Sequence, residues 1–399
     1  LNKDWSREIV SNVTIDVLDK NAISKARQKF KEAKEHRAIA DEVDTWSDET
    51  FLDKANVTID GKITNAAIIL LGKPKSAYHI SPAVAQITWK LDTEEQAYQH
   101  FETPFLLTVN DVLKRIRNVA YKFFPNTQLV GLSVDKYSSE VILEALNNCI
   151  AHQDYRKNSR IILTEQINKL IFENAGDFIE GTPDEYILGA KTPKIYRNKW
   201  LTEAMVNLDM IDSMGYGINK MSKNQRDRYF PLPDYSKSTN ENVILEIYGH
   251  EIDINYSKLL IEKKDELTLG EVVLLDKVQK KQFINDESAK KLKQKHLIEG
   301  RKPNYYVSLD IAQKTDQKAE YTKNKAFDKQ YYLDFIIRAI SQHKSLTRRD
   351  IDELLWNKLP EWMSNTNRKI KINNLLAELR KNKKIKNTGS LKHSQWIVY

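Results

Sequence analysis

Ser139 to Tyr155 reads SEVILEALNNCIAHQDY. Val141, Ile142, Ala145, Leu146 and Cys149 recur three or four apart, the spacing of one helix face. Glu144 and Asn148, four apart, share another face. Arg160 to Phe172 (RIILTEQINKLIF) reads as strand material folded into a hairpin. A turn-rich run from Asn174 to Asn198 follows, then a helix at Leu201 to Ile211 and a strand at Asn242 to Tyr248. Helix, hairpin, helix and strand predict helices layered on one sheet, an α/β sandwich.

Upstream, residues 1–57 read as a helical linker region, with charged helices at Ala22 to Glu35 and Ser47 to Ala55. Thr64 to Gly72 reads as a cap, a buried helix and a terminating glycine. Val84 to Leu91 alternates like a strand, and Phe105 to Phe124 reads as one long helix. The α/β domain is placed at residues 58–250. Downstream come two similar small units, 255–310 and 327–399, joined by a polar linker, 311–326. Each reads as helices followed by a hairpin, the order of a winged helix. The fold class expected is thus multidomain α/β, a sandwich followed by two winged-helix domains.

The chain has 399 residues, 41% of them hydrophobic, enough for several cores. Its one cysteine, Cys149, excludes an intrachain disulfide and a cysteine-based zinc site, so a cytoplasmic protein is expected. No apolar run reaches membrane-span length, so no membrane partner is expected. The chain begins at Leu1, which reads as a missing upstream domain. Charge is uneven. Residues 1–250 carry 32 Lys/Arg and 35 Asp/Glu, whereas residues 251–399 carry 31 and 20. Residues 327–399 alone hold 15 basic and 7 acidic residues, a footprint suited to nucleic acid. A solvated lysine-rich surface gives the same count.

In the last unit, Ile372, Leu375, Leu376 and Leu379 form the apolar stripe of a helix. Arg368, Lys369, Lys371 and Asn374 occupy its other face, suited to reading a major groove. Arg348 and Arg349 open the preceding helix, and Lys392 lies on the wing. In the first unit, Arg301 and Lys302 form a basic wing turn. DNA is the expected partner of these residues, with RNA as the alternative. Protein contact through the same faces is the competing reading.

A carboxylate and a carboxamide on one helix face, Glu144 and Asn148, can act as general base and Mg²⁺ ligand. The polar outer face of an ordinary helix has the same pattern. Asn174-Ala175-Gly176 and Gly215-Tyr216-Gly217 are turns whose backbone can approach a ligand or a phosphate. No GxxxxGK[ST] string is present, since Leu71-Gly72-Lys73-Pro74 lacks the spacing, so a P-loop helicase is excluded.

EALNNCIAHQDY (144–155), FENAGDFIEGTP (172–183), PKIYRN (193–198) and IDSMGYGINKM (211–221) together resemble the bacterial RecG-related, Schlafen-AlbA-associated transcriptional regulators. ITNAAIILLGKPK (63–75) and LIEGRKPNYYVS (297–308) extend the resemblance over nearly the whole chain. Such proteins carry an N-terminal AlbA-like domain, which would be the missing one. Their middle domain is similar to the GHKL ATPases. The resemblance implies ATP and Mg²⁺ as cofactors, Glu144 as the water-activating base and Asn148 as the Mg²⁺ ligand. It puts Asn174 and Gly176 at the adenine and Gly215 and Gly217 at the phosphates. Two positions depart from the GHKL pattern: Asn174 stands where Asp is usual, and Phe178 where the turn has its second glycine. The function expected is a DNA-binding transcriptional regulator with a degenerate GHKL-type domain. The alternatives are a Mg²⁺-dependent ATPase of that type and an assembly scaffold; two copies of the chain can also pair as a homodimer.

Overall fold

A computed structural model describes residues 3–93, 96–118, 120–123, 132–212, 214–308, 329, 332–341, 344–356, 359, 365–390 and 394–399. The chain divides into two compact units, Leu1–Val307 and Ser308–Tyr399.

The first unit is built on a mixed five-stranded sheet. Strands β1 (Gln86–Leu91), β2 (Ala97–Glu102), β3 (Ile161–Glu165), β4 (Lys169–Ala175) and β5 (Asn242–Tyr248) lie in the order β2-β1-β3-β4-β5. Only the β1–β3 pair is parallel. Period-two alternation sorts the residues. Ile87, Trp89, Leu91, Ile161, Leu163, Leu170, Phe172, Leu245 and Ile247 are buried on the inner face. Trp89 needs an acceptor for its indole N–H there and finds Glu165 Oε2 at 2.8 Å. The other Glu165 oxygen accepts from the Arg117 backbone N–H at 3.0 Å.

Helices cover this face. Preceding or interleaved with the strands are α1 (Lys20–Glu32), α2 (Asp48–Lys54), α3 (Asn65–Leu71), α4 (Phe105–Arg115), α5 (Ser139–His152), α6 (Pro183–Ile187), α7 (Lys199–Asn207) and α8 (Gly217–Asp227). Thr64 caps α3 by accepting from the Ala67 N–H, and all seven α3 residues are buried. Residues 1–57 share the core of the sheet: Phe30, Val43, Phe51, Leu52 and Val57 belong to one cluster with Trp89 and Phe172. The long helix predicted over 105–124 ends at Arg115. Asn118 then donates to Tyr137 O and accepts from Tyr137 N, both at 2.8 Å, and Ala120–Phe123 pairs with Leu132–Asp135 as a hairpin. Pairing distant in sequence overrides the local periodicity.

Three more helices complete the unit, α9 (Ile254–Glu262), α10 (Leu269–Gln279) and α11 (Asp286–Gln294), with the hairpin β6 (Ile298–Arg301) and β7 (Asn304–Val307). Thr268 and Glu271 form a capping box on α10. A buried charge cluster ties α10 to the β5 edge. Lys280 Nζ lies 2.6 Å from Asp276 and 3.7 Å from Asp234 and donates to Leu232 O. The Asp234 backbone in turn exchanges both N–H···O bonds with the Glu246 backbone of β5.

The second unit, by itself, runs helix, strand, helix, helix, hairpin. Residues 332–341 are helical (α12), followed by β8 (Leu346–Thr347), α13 (Arg348–Trp356), α14 (Asn365–Lys381), β9 (Ile385–Asn387) and β10 (Gln395–Val398). The strands form one sheet in the order β8-β10-β9. Ile336, Ile340, Ile351, Leu355, Ile372, Leu376 and Ile385 form its core. The predicted linker 311–326 lies outside the described residues.

Lys280→Met leaves Asp276 and Asp234 buried without their cation. It is expected to cost about 3–5 kcal/mol in urea unfolding. Lys280→Met with Asp276→Asn should cost clearly less, and equal losses would refute the cluster's role in tying α10 to the sheet.

Candidate functional site

The α5 helix buries Val141, Ile142, Leu146 and Ile150 on the sheet, each contributing about 1.5–3 kcal/mol. That orientation leaves Glu144 and Asn148 half-buried at the rim. Asn148 Nδ2 donates to Glu144 Oε1 at 3.1 Å. Gly217, the first residue of α8, closes against them. A methyl group built on it would overlap Glu144 Oε1 and stand 3.3 Å from Asn148 Nδ2. Gly215, at φ +71°, makes the left-handed turn that brings α8 in. The structure thus brings together Glu144, Asn148 and Gly217.

Burial raises the Glu144 pKa; the Asn148 hydrogen bond and the Lys220 charge oppose it, and Asp212 and Glu140 reinforce it. Lys220 is itself paired with Asp212 at 2.6 Å. A half-buried carboxyl with a raised pKa suits proton transfer. Cys149, on the buried side of the same helix, is pushed up to about 12 by burial and is no nucleophile at neutral pH.

The other predicted turn has a different content. Asn174 is buried at the end of β4, and its Nδ2 donates to Ala175 O at 3.3 Å. Gly176 follows at φ +115°, with its N–H on Glu241 O. The Arg197 guanidinium lies directly over it: a Cβ on Gly176 would stand 2.7 Å from Nη1. Arg197 is held by Asp177 at 2.7 Å and Asp154 at 3.5 Å. Asp154 also takes Arg156 at 2.9 Å. Burial alone would raise the Asp154 carboxyl, but the Arg156 hydrogen bond and the charges of Arg156 and Arg197 hold it below its usual value. Two arginines thus occupy the Asp154 carboxylate. His152 stacks on Tyr196, ring centroids 6.2 Å apart, and burial followed by the Arg197 charge pushes it down to about 4.

The donor types around Glu144 and Asn148 suit Mg²⁺ and a nucleotide, but the space does not in this conformation. Gly217 packs closely on Glu144 and Asn148, and the Arg197 guanidinium lies over Gly176. Among the described residues no group of three His, Cys, Asp or Glu is placed to hold a metal. A cleft of about 250 Å³ lies elsewhere, between α6, the 232–236 segment and α10, with Asp184 and Lys277 paired at its wall. Sequence reading missed Asp177, Gln153 and Asn198. Gln153 accepts from the Ala175 N–H at 2.8 Å, and Asn198 donates to Ala151 O and Gln153 O. Asn198 stands in the quoted PKIYRN string, but nothing in its spacing signals a partner 45 residues away.

In the second unit, α14 buries the predicted stripe and exposes Lys369, Asn374, Arg380 and Lys381. Arg368 and Lys371 are half-buried over the Trp356 and Tyr332 rings, at 5.5 and 5.0 Å. Arg348 bonds Asp352 and Asn373, and Arg349 bonds Glu353. Lys392 lies outside the described residues. In the first unit, Arg301 and Lys302 are exposed at the β6–β7 tip.

A family described as Domain of unknown function (DUF8451) matches residues 1–87. Its end falls inside β1, within the common core. No curated protein matches the chain. Among solved structures the chain is similar to the DIP2311 protein from Corynebacterium diphtheriae, with a TM-score of 0.51 and 14% identity over 77% of this chain and 64% of that one. The chain therefore spans just under two thirds of that protein's length. At this identity the likeness bears on fold alone, a mixed α/β architecture. Among the described residues no helix is long and apolar enough to cross a membrane.

Gly217→Ala forces the Glu144 carboxylate aside. It is expected to destabilise the protein by about 1–3 kcal/mol, and by much less in a Glu144→Ala background. Additive losses in that double-mutant cycle, read by urea unfolding, would mean the two residues do not touch.

Proposed function

We propose that the protein is a nucleic-acid-binding regulator of the transcriptional-regulator type, acting through a winged helix at residues 327–399. One observation carries this reading: helix, strand, helix, helix and hairpin with the sheet order β8-β10-β9, and a basic outer face on α14. In such an arrangement α14 is the element that enters a major groove. Lys369, Arg380 and Lys381 meet phosphates, and Asn374 is placed toward base edges. Arg368 acts from its seat on Trp356 as a support for α14. The α/β core is a GHKL-like domain held closed by Gly217 and Arg197.

Lys369→Glu with Lys381→Glu is expected to weaken binding to a short DNA duplex at least tenfold in fluorescence anisotropy. It should also flatten the dependence of log K on log salt by about 2, one for each phosphate that a lysine no longer neutralises. Unchanged affinity and slope would overturn the reading.

A second reading, a Mg²⁺-dependent ATPase of the GHKL type, is favoured by the grouping of Glu144, Asn148 and Gly217. It expects calorimetric binding of an ATP analogue with Mg²⁺ that Asn148→Ala removes. No heat at millimolar nucleotide would dismiss it.

A further inference from the structure

Phe283 lies in the turn between α10 and α11 and is 75% exposed. A phenyl ring gains stability by leaving water, and this one stays out of the core. Its surroundings are cationic: residues 281–302 hold seven Lys/Arg and three Asp/Glu. Lys302, at the β6–β7 tip, reaches to 6.0 Å from the Phe283 ring and is anchored on Asp286 at 2.9 Å. Lys293 sits 5.0 Å over the Tyr305 ring of the same hairpin and donates to Gly300 O at 2.7 Å. Lys281 donates to Tyr305 O at 3.3 Å.

The partners of Lys281 and Lys293 decide the electrostatics. The Lys293 ammonium is fixed by a carbonyl oxygen, which positions a charge without neutralising it, whereas Lys281 also faces the Asp253 carboxylate. With exposed Arg301 they leave a positive patch on the face that carries the exposed Phe283 ring. We infer that this surface binds single-stranded nucleic acid, an unpaired base stacking on Phe283 while Lys281, Lys293 and Arg301 meet the adjoining phosphates. Cations track the backbone and aromatic faces take bases of any sequence. A duplex keeps its bases stacked inside and offers the ring nothing. An acidic peptide matches the charge but supplies no flat π-face for the ring. The surface differs in place and in ligand from the α14 face proposed above.

The test uses the full chain and fluorescein-labelled oligo(dT) and oligo(U) of about twelve nucleotides, within the usual site size. Phe283→Ala is expected to weaken single-strand binding about five- to a hundredfold, and Phe283→Trp to keep it. Because Phe283 is exposed, neither change disturbs the core. The duplex affinity governed by Lys369 and Lys381 should not move. The strand type that binds more tightly identifies DNA or RNA as the source. Unchanged affinity of Phe283→Ala for both strands would overturn the inference. So would an equal loss on single strand and duplex, or competition by polyglutamate as strong as by unlabelled oligo(dT).

Discussion

The α5 helix can bury its apolar stripe only by lying on the inner face of β1, β3 and β4, and this docking sets the positions of nearly every candidate group. Burial of Val141, Ile142, Leu146 and Ile150 fixes the helix rotation, which sends Glu144 and Asn148 to the rim where α8 arrives. The same docking delivers the helix end to the end of β4. Asp154 N–H donates to Ala175 O and Gln153 Oε1 accepts from Ala175 N–H, both at 2.8 Å. Helix and strand end at one knot, and the Gly176 turn starts from it. A shift of α5 by one residue would break both ends together.

The outer face of the sheet follows another rule. Glu246 is buried there among Lys169, Lys237 and Tyr248. Burial would raise its pKa, but hydrogen bonds from both lysines outweigh that and hold it low. Asp276, fully enclosed beside Lys280, goes the other way because burial dominates. Glu246 sets two lysines against its burial and Asp276 only one, so the balance of burial and cations decides the sign. Residues 254–307 are tied to the sheet edge through such paired charges.

Helices and strands with strong periodicity were legible in the sequence. The helix read in the 139–155 string is found at Ser139–His152, and the strand Asn242–Tyr248 has the bounds its pattern predicts. The apolar stripe of 372–379 is buried as expected. Illegible were the features fixed by distant partners. Periodicity ran past Arg115 because nothing local announces that Asn118 bonds Tyr137. Spacing placed Arg368 among groove-facing residues, yet a guanidinium beside an indole gains more by covering it. The Glu144–Asn148–Gly217 grouping was legible as a set of residue types. Its closure was not, because the room left for a Cβ at Gly217 depends on the path of α8.

The Arg197 guanidinium over the Gly176 turn has an energetic consequence for any ligand that would approach it. The Arg197 guanidinium must leave, and it is nine-tenths buried with Asp177 and Asp154 as partners. Its Nε lacks a hydrogen-bond partner in this state. A buried donor left unpaired costs about 1–3 kcal/mol, so the closed state gives back part of what its ion pairs contribute. Opening therefore costs less than the two carboxylate partners suggest. A ligand that offers Arg197 a new anion, as a phosphate does, restores the broken pairs and satisfies the idle Nε. A neutral ligand of the same shape does neither.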